Sequence, residues 1–428
     1  MSLNQSNSLL DDAWKCYRAA IEAVDPKKAL YKTIKNSRNE IHFSNGNISV
    51  IAVGKGSIPM AQAFLSSVTV PISHCLVVHP FQMAWQDAPS FVELLPAEHP
   101  LPGNGSLTAG RRVIATVENL SADDVLVLLI SGGASSLVCV PYEGILFEDK
   151  LATVNLLLKY GVDIQVLNCV RKHLSAIKGG RLIQRTASKI VLAFLISDVI
   201  GDDISVIGSG ISAPDPSTYQ QAYDICVKVG TPKRVLRFFE KGMSGIYSET
   251  PKPGDTIFKK VRNFIIASNK VALKSAIIKA SSLGYRSTIL TDSLRGEAKT
   301  AGAKLAAILK AMKRGTFIDV GGETVVNVTG KGKGGRCQEL ALSAAIELDK
   351  TDNVLLWATG SDGIDGTSDS AGAWADGHSI KKASLLGVDP YTCLKENNSN
   401  FFFEKIGSLI KTGLTGTNVM DLIFLLKR

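Results

Sequence analysis

The sequence has few cysteines, few aromatic residues and no long apolar run, and each shortage argues against a class of protein. Seven cysteines occur in 428 residues, without a CxxC pair. This odd count argues against a disulfide framework or a zinc ribbon and favours a reducing compartment. The longest apolar runs, such as VLVLLI and IVLAFLI, are too short to span a bilayer. No apolar signal core follows the N-terminus, so we expect a cytoplasmic protein, with mitochondria as the alternative location.

Several partner and reaction classes also lack support. Aromatic residues make up 7%, and no Lys/Arg block occurs, so we expect no nucleic-acid partner. The net charge of +9 (48 Lys and Arg minus 39 Asp and Glu) fits a small anionic ligand better. The chain has no GxxxxGK[ST] motif and no GxSxG motif. Walker-type nucleotide binding and acyl-transfer chemistry therefore lack their usual residues.

Short apolar runs alternate with amphipathic helical patterns, which predicts an α/β fold with a largely parallel sheet. The predicted strands cover residues 48–54, 74–80, 124–132, 190–198, 263–268, 287–292, 317–323, 325–330 and 354–360. A polar interval at 240–255 carries two prolines and three glycines. It predicts a domain boundary, with one domain at 1–245 and a second at 256–428.

Several predicted strands end in loops of small residues, where open α/β sheets bind ligands. VGKGS places Lys55 between two glycines, which combine close backbone approach with a positive charge; an exposed turn lysine is the alternative. In ISGGASS the backbone N–H groups could hold an anion while the serines cap the next helix, although capping alone would explain the serines. The candidate residues of this loop are Ser131, Gly132, Gly133, Ala134, Ser135 and Ser136.

Further charged candidates follow. Arg171 and Lys178 share a helical face, where a bound anion would relieve their repulsion, and a solvated face is the alternative. Asp198 ends a predicted strand, and Mg²⁺ takes one or two carboxylates plus waters and substrate phosphates. Glu323 in VGGE and Asp362 in ATGSDGIDG occupy similar loops.

The segment TGKGKGGRCQEL matches GxGxxG through Gly330, Gly332 and Gly335. A dinucleotide fingerprint also needs an acid about twenty residues later, at the end of the next strand. The acid that follows the next strand, Asp362, lies too far along the chain. Arg336 opens the following helix, where a bidentate guanidinium suits a phosphoryl group or a carboxylate.

These segments, taken in order, resemble the glycerate 2-kinase family, the class II glycerate kinases with a C-terminal MOFRL domain. The segments are VGKGSIPMA, EHPLPGNGS, SGGASSL, VRKHLSAIKGGRL, SDVIGDD with SGISAPDPST, GGETVVNVTGKGKGGRCQELAL and GSDGIDGTSDSAGA. The resemblance runs from AWKCYRAAIEAVDP to GLTGTNVMDL, nearly the whole chain. It implies a Rossmann-like, parallel, three-layer N-terminal domain and a smaller mixed-sheet MOFRL domain, with the active site in the cleft between them.

The resemblance also implies a reaction. Members of this family transfer the γ-phosphoryl group of ATP to the 2-hydroxyl of D-glycerate, with Mg²⁺. The proposed active-site pair of the family falls on Lys55 and Arg336, which we expect to stabilise the phosphoryl group and the glycerate carboxylate. We expect Asp198 to hold Mg²⁺ or to orient the 2-hydroxyl. Small-molecule substrates are the expected partners, without a membrane, and a homodimer is left open.

The sequence departs from the family pattern at five positions. Ile211 and Leu414 stand where prolines are usual, which we expect to cost only turn rigidity. Cys337 replaces an asparagine, and EHPLPG carries Glu98 and Gly103 where the pattern GHPxPD has glycine and aspartate. Cys337 and Gly103 thereby remove polar side chains from the predicted site. The alternative function is therefore a non-catalytic metabolite-binding or phosphosugar-binding protein. A hydroxypyruvate reductase is less supported, because the strand-end acid is missing.

Overall fold

The computed structural model describes residues 3–37 and 46–428, with side chains from residue 8 onward in these ranges. The chain forms two compact units. We call Leu30–Ser197 with Asp202–Ile266 the N-terminal unit. The C-terminal unit comprises Met1–Ala29, Asp198–Gly201 and Ala267–Arg428.

The N-terminal unit is built on one six-stranded sheet. Its strands are β1 (Ile48–Val53), β2 (Ile72–Pro80), β3 (Val92–Ala97), β4 (Val125–Ile130), β5 (Ile190–Ile196) and β6 (Val261–Ala267). They are hydrogen-bonded in the order β3-β2-β1-β4-β5-β6, and the pairs from β3 to β5 are parallel. β1 and β4 are buried along their whole length, as strands of a parallel sheet covered on both faces are.

The C-terminal unit contains a second, mixed sheet. Its strands are β7 (Arg286–Leu294), β8 (Thr316–Gly322), β9 (Val354–Gly360), β10 (Gly372–Asp376), β11 (Leu409–Ile410) and β12 (Asp421–Lys427). Their order is β11-β10-β9-β12-β8-β7, in which β7 and β8 are parallel and the other pairs antiparallel. The predicted α/β class, with one parallel and one mixed sheet, is confirmed.

Helices connect and cover both sheets. In chain order they are α1 (Leu3–Ala23), α2 (Pro26–Asn36), α3 (Ser57–Ser67), α4 (Asn104–Glu118), α5 (Ala134–Leu137), α6 (Phe147–Lys159), α7 (Ile164–His173), α8 (Arg181–Arg185), α9 (Tyr219–Val229), α10 (Lys233–Met243), α11 (Asn269–Ser282), α12 (Ala298–Ala311), α13 (Arg336–Glu347), α14 (Ser379–Leu385), α15 (Pro390–Lys395) and α16 (Ser399–Ile406). Two 3₁₀ helices cover Ile207–Ser209 and Thr256–Lys260. Within residues 3–37 and 46–428, none of the helices combines the length and apolar character that a membrane crossing requires.

The two units differ from the predicted division at 245 and 256. The first sheet continues past that boundary, because β6 is hydrogen-bonded next to β5. At the other end of the chain, α1 packs against α11 of the C-terminal unit. There the ring of Trp14 meets that of Trp357 edge to face, with 4.8 Å between centroids, so an aromatic contact ties α1 to the second sheet.

One predicted strand is wrong and four strands were missed. Residues 325–330 form no strand beyond an isolated bridge at Val325, and Val325 and Val328 are 62% and 71% exposed. β-Branched side chains favour strands mainly through packing, which these valines lack. The missed strands are β3, β10, β11 and β12. The apolar run of β12, DLIFLLK, was a usable signal.

Candidate functional site

The loops after β1 and β4 meet at the carboxyl edge of the N-terminal sheet. β1 lies between β2 and β4, so the chain connections leave this point in opposite directions. Such a topological switch point is where open α/β sheets bind ligands. We call residues 54–56 and 131–136, which form these loops, the switch-point site.

Hydrogen bonds fix the two loops to each other. The Lys55 N–H donates to the carbonyl of Gly132 at 2.8 Å, and the Gly56 N–H donates to Ser131 Oγ at 2.9 Å. Gly54 has a φ of 131°, and a Cβ there would lie 2.2 Å from Ser131 Oγ, so this approach requires glycine. Ser131 is only 3% exposed, and its hydroxyl braces the site.

Part of the second loop keeps its backbone donors unused. Among the described residues, the N–H groups of Gly132, Gly133 and Ser135 have no hydrogen-bond acceptor. The Ala134 N–H, which was also expected to bind an anion, donates instead to the carbonyl at the start of the loop at 3.3 Å. The N–H and Oγ of Ser136 both donate to the Gly133 carbonyl, at 3.1 and 3.0 Å. Three free donors therefore remain for an anion.

The structure adds His99 to the switch-point site. A Cβ on Gly133 would lie 2.8 Å from Cδ2 of His99, 3.0 Å from its Nε2 and 3.6 Å from Cγ of Lys55. Burial, and then the charge of Lys55, lower the pKa of His99. Sequence reasoning missed this residue because a single histidine has no spacing pattern, although the segment EHPLPGNGS was recognised.

Three cationic side chains, Lys150, Arg171 and Lys178, lie close together next to the loop of residues 131–136. Lys178 Nζ donates to the carbonyl of Ser135. Burial, and with it the charges of Lys150 and Arg171, lowers the pKa of Lys178 to about 7. None of the three cations forms an ion pair with a carboxylate in the described part of the chain. Because unpaired buried cations are costly, a bound anion would stabilise them. Sequence reasoning named Arg171 and Lys178 and missed Lys150.

The predicted helical face shared by Arg171 and Lys178 is wrong, because α7 ends at His173 and Lys178 lies in a turn beyond it. The alternative of a solvated face is wrong for Lys172 and Lys178. Lys172 and Lys178 are only 4% and 2% exposed. Lys172 Nζ lies 3.2 Å from an Asp215 oxygen. His173 is also buried, and its Nε2 lies 3.1 Å from Glu249 Oε2. Lys172 and His173 are therefore paired within the unit, which distinguishes them from the unpaired cations.

In the C-terminal unit, Arg336 begins α13 and forms a bidentate ion pair with Asp421 at the start of β12. Its Nε and Nη2 donate to the two carboxylate oxygens at 2.7 and 2.9 Å, and Nη1 lies 2.8 Å from Glu323 Oε1. Burial opposes the charge of Arg336, but Asp421 and Glu323 outweigh it and raise the pKa of Arg336. The bidentate face expected for a ligand is thus occupied by the protein. Asp421, in the recognised segment GLTGTNVMDL, was not singled out.

The glycine-rich loop before α13 is held by side chains rather than left open. Asn397 Oδ1 accepts hydrogen bonds from the N–H groups of Thr329 and Gly330, both at 2.8 Å. Asn398 Oδ1 accepts another from the Lys333 N–H at 3.1 Å. These donors would have to face outward to cradle a phosphate, so this arrangement argues against a phosphate-binding loop.

The N-terminus of α13 is also occupied. Asp365 accepts hydrogen bonds from the N–H groups of Cys337 and Gln338, at 3.0 and 2.8 Å. Burial raises the pKa of Asp365 to about 7, even though these hydrogen bonds favour its ionised form. A carboxylate of the chain thus takes the place that an anionic ligand would have at this helix end.

Of the three other predicted acids, Glu323 contacts Arg336 directly. The Glu323 side chain is 43% exposed, but its partial burial by the surrounding residues still raises its pKa. Arg336 opposes this shift, while Asp421, Asp198 and Asp362 add to it. The structure therefore places Asp198 and Asp362 within electrostatic reach of Glu323. Within the described ranges, no three His, Cys, Asp or Glu side chains form a metal-binding group.

A cavity of about 460 Å³ opens beside Arg336 within the C-terminal unit. Its lining includes Glu323, Val328, Gly334, Arg336, Glu339 and Thr367. A few polar groups among apolar walls, at this volume, are typical of small-molecule sites.

Comparison with known proteins identifies the family to which this chain belongs. Residues 12–240 match a domain of unknown function, DUF4147, and residues 316–421 match the MOFRL family. A D-glycerate 2-kinase from Thermotoga maritima is 37% identical over 97% of this chain and 98% of its own length. The chain belongs to the glycerate 2-kinase family. A solved glycerate kinase structure from that organism has a TM-score of 0.89, covering 99% of this chain and 100% of that one.

Two further relatives of this chain carry two different functional names. A glycerate 2-kinase from Pyrococcus horikoshii is 36% identical and covers 94% of both chains. A putative hydroxypyruvate reductase from Agrobacterium vitis is 34% identical over 95% of this chain and 92% of its own length.

The structure accounts for the unusual residues at positions 98 and 103 in this member of the glycerate 2-kinase family. Gly103 precedes α4 and offers no capping side chain. Glu98 supplies the carboxylate instead, accepting hydrogen bonds from the N–H groups of Gly105 and Ser106 at 3.0 and 2.7 Å. A Cβ on Gly103 would lie 2.5 Å from Glu98 Cδ. Glu98 therefore provides the cap that Gly103 cannot.

The other three departures comprise two buried residues and one exposed residue. Cys337, which stands where the glycerate 2-kinase pattern has asparagine, is 1% exposed and packs in the hydrophobic core. It is therefore not available to a ligand. Ile211 is 3% exposed and Leu414 is 77% exposed.

Proposed function

We propose that this chain transfers the γ-phosphoryl group of ATP to the 2-hydroxyl of D-glycerate. The observation that carries this proposal is the 37% identity, over 97% of the chain, to a D-glycerate 2-kinase. Phosphoryl transfer requires positioning and charge stabilisation more than covalent chemistry, and unused donors with unpaired cations supply both.

In this proposal the switch-point site binds the phosphoryl group. The N–H groups of Gly132, Gly133 and Ser135 are the donors, and Lys55 supplies the charge. Arg171 and Lys178 act from behind the loop through their electrostatic field, since Lys178 itself is buried. An anion at this place would offset the cost of leaving these cations unpaired.

Arg336 has a narrower proposed role than direct bidentate binding. A guanidinium has five N–H donors. Asp421 and Glu323 engage three of them, so two remain for the glycerate carboxylate. The side chain is 33% exposed, which leaves it within reach of a ligand.

Asp198 is the proposed Mg²⁺ ligand. Its carboxylate fits a hard cation in donor type, and one or two such ligands suffice when substrate phosphates and waters complete the coordination. The bound ion would neutralise charge on the phosphate oxygens. We place Asp198 in this role, with Glu323 and Asp362 contributing negative charge nearby.

The test is ADP release from ATP with D-glycerate, with the phosphorylated position of the product identified by NMR. Lys55→Ala should lower kcat/KM by about 10²–10³, the usual loss for one charge contact to the transition state. Lys27→Ala removes an exposed lysine and should match the unaltered protein. No ADP release with D-glycerate, or full activity of Lys55→Ala, would contradict the proposal.

The same preparation tests the two alternatives. Hydroxypyruvate with NADH or NADPH should show no oxidation, because the GxGxxG loop follows no strand and its N–H groups are engaged. A non-catalytic binder would melt at higher temperature with glycerate or nucleotide yet release no ADP.

Cellular location, binding partners and oligomeric state are part of the same proposal. All seven cysteines are buried and free, which fits the reducing cytoplasm. The proposed partners are small-molecule substrates, and a homodimer stays a prediction.

A further inference from the structure

His99 is the histidine of the switch-point site, and its placement is unusual. Its Nε2–Cδ2 edge lies against Gly133, where a Cβ would come 3.0 and 2.8 Å from these two atoms. Gly133 carries one of the unused N–H groups, and Lys55 Cγ lies on the same side. The imidazole therefore borders both the donors and the charge that we assign to the phosphoryl group.

The ring has no polar partner of its own. Among the described residues, neither nitrogen of His99 makes a hydrogen bond or an ion pair. The other histidines near the sheet and α7 do have partners: His74 pairs with Glu93, and His173 pairs with Glu249. The ring of His99 is half-buried and neither nitrogen is engaged by the described part of the chain, so a nitrogen is available to accept a hydrogen bond from a bound ligand.

The charge state of the ring suits a proton acceptor. Burial is the largest cause that lowers the pKa of His99, and Lys55 is the charged group that adds to it. At neutral pH the ring is therefore unprotonated. A phosphoryl group bound at Lys55 would offset the lysine charge, so the imidazole becomes a stronger base when the substrates are in place.

The segment that carries His99 is held firmly. Glu98, the preceding residue, accepts hydrogen bonds from two N–H groups at the start of α4 and from Ser106 Oγ at 2.8 Å. A general base needs such fixed placement, because proton transfer requires hydrogen-bond distance to the reacting group.

We propose that His99 is the general base that accepts the proton of the substrate hydroxyl during phosphoryl transfer. An imidazole nitrogen takes this proton while the hydroxyl oxygen forms its bond to the γ-phosphorus. The bond between the γ-phosphorus and the bridging oxygen breaks, and its electron pair leaves with ADP. The imidazolium then releases the proton to water. This inference rests on the proposed kinase function and assigns a catalytic residue to it.

Two substitutions test the proposal in the full-length protein. His99→Gln keeps a polar side chain of similar size and should lower kcat by about 10²-fold, within the usual range for general bases. KM for ATP and for D-glycerate should change by less than about threefold, since the base acts in the transition state. His99→Ala should be similarly slow and should regain activity with added imidazole. His74→Gln, on β2 and away from the site, is the matched control and should keep full activity.

The pH profile supplies a readout that a structural role would not move. The unaltered protein should lose kcat as the pH falls through the pKa of His99, because only the neutral ring accepts a proton. This acidic limb should disappear in His99→Gln.

The outcomes separate this inference from the function on which it rests. Activity of the unaltered protein with D-glycerate, together with full kcat or an unchanged acidic limb in His99→Gln, overturns the role of His99 alone. A raised KM for ATP with unchanged kcat also overturns it and makes His99 a phosphate contact. Absence of any phosphorylation by the unaltered protein removes the kinase function and this inference together.

Discussion

At the scale of single residues, the ion pair of Arg336 decides how its function is to be tested. Asp421 is only 1% exposed, and its two oxygens are both engaged by the guanidinium. Burial raises the pKa of Asp421, and Arg336 counteracts this shift. Removing the arginine therefore leaves a buried carboxyl without its partner, in addition to any loss of substrate binding.

We predict that Arg336→Ala lowers both activity and stability. The free energy of unfolding should fall by about 3 kcal/mol, the low end for a broken buried pair, because the arginine is partly exposed. Chemical denaturation measures this loss. Lys411→Ala is the control, because its pair with Asp369 is exposed on both sides and should contribute at most about 1 kcal/mol. Equal stability of the two variants would contradict a structural role for Arg336.

At the scale of elements, the start of α4 shows how two unusual residues compensate for each other. Glu98 reaches from the preceding segment to the N–H groups that a residue at position 103 would ordinarily cap. The φ of Gly103 is −137°, which any residue can adopt, so only the space taken by Glu98 excludes a larger side chain.

A double-mutant cycle at these positions tests the compensation. Glu98→Gly should cost about 1 kcal/mol of unfolding free energy, the usual value of a lost cap. Gly103→Asp alone should also destabilise, because Glu98 must leave its hydrogen bonds to make room. The double variant Glu98→Gly/Gly103→Asp should recover most of the stability, since the aspartate then caps α4. Additive losses in thermal melting would show that the two positions act independently.

Also at this scale, the sequence could predict some elements and not others. β1, β4, β5 and β9 are buried along all or nearly all of their length, and their apolar runs were recognised. Residues 325–330 have the same β-branched composition but lie exposed, with the donors at the end of the run bound by Asn397. Composition alone cannot separate these cases, because burial depends on what packs against the run.

At the scale of the whole molecule, the two ends of the chain meet inside the C-terminal unit. Arg428 Nη2 lies 2.6 Å from Asp12 Oδ2, and the Tyr285 hydroxyl donates to the same oxygen at 2.9 Å. Asp12 is 3% exposed, whereas the Arg428 side chain is 41% exposed, so the carboxylate is the buried partner of this pair. These contacts join α1 to the last residue of the chain and explain why α1 belongs to the C-terminal unit.

We predict that Asp12→Ala destabilises this unit by about 1.5–3 kcal/mol, the range for hydrogen bonds to charged groups. The fluorescence of Trp357, which contacts α1, should report the change during denaturation. Asp11→Ala is the control, because Asp11 is exposed and should have little effect. A similar midpoint for both variants would argue that the end-to-end contacts do not stabilise the unit.

The sequence by itself determined the α/β class, the glycine-containing loops at strand ends and the candidates Lys55, Arg171, Lys178 and Arg336. These follow from patterns within short windows, since apolar runs and glycine spacing reflect local backbone requirements. Only the tertiary structure placed His99 beside Gly133 and paired Arg336 with Asp421, 85 residues away. Such pairs depend on strand order and on packing between distant segments, which no local pattern records. The same packing showed that the loop at 330–335 is braced by Asn397 and Asn398 rather than open to a phosphate.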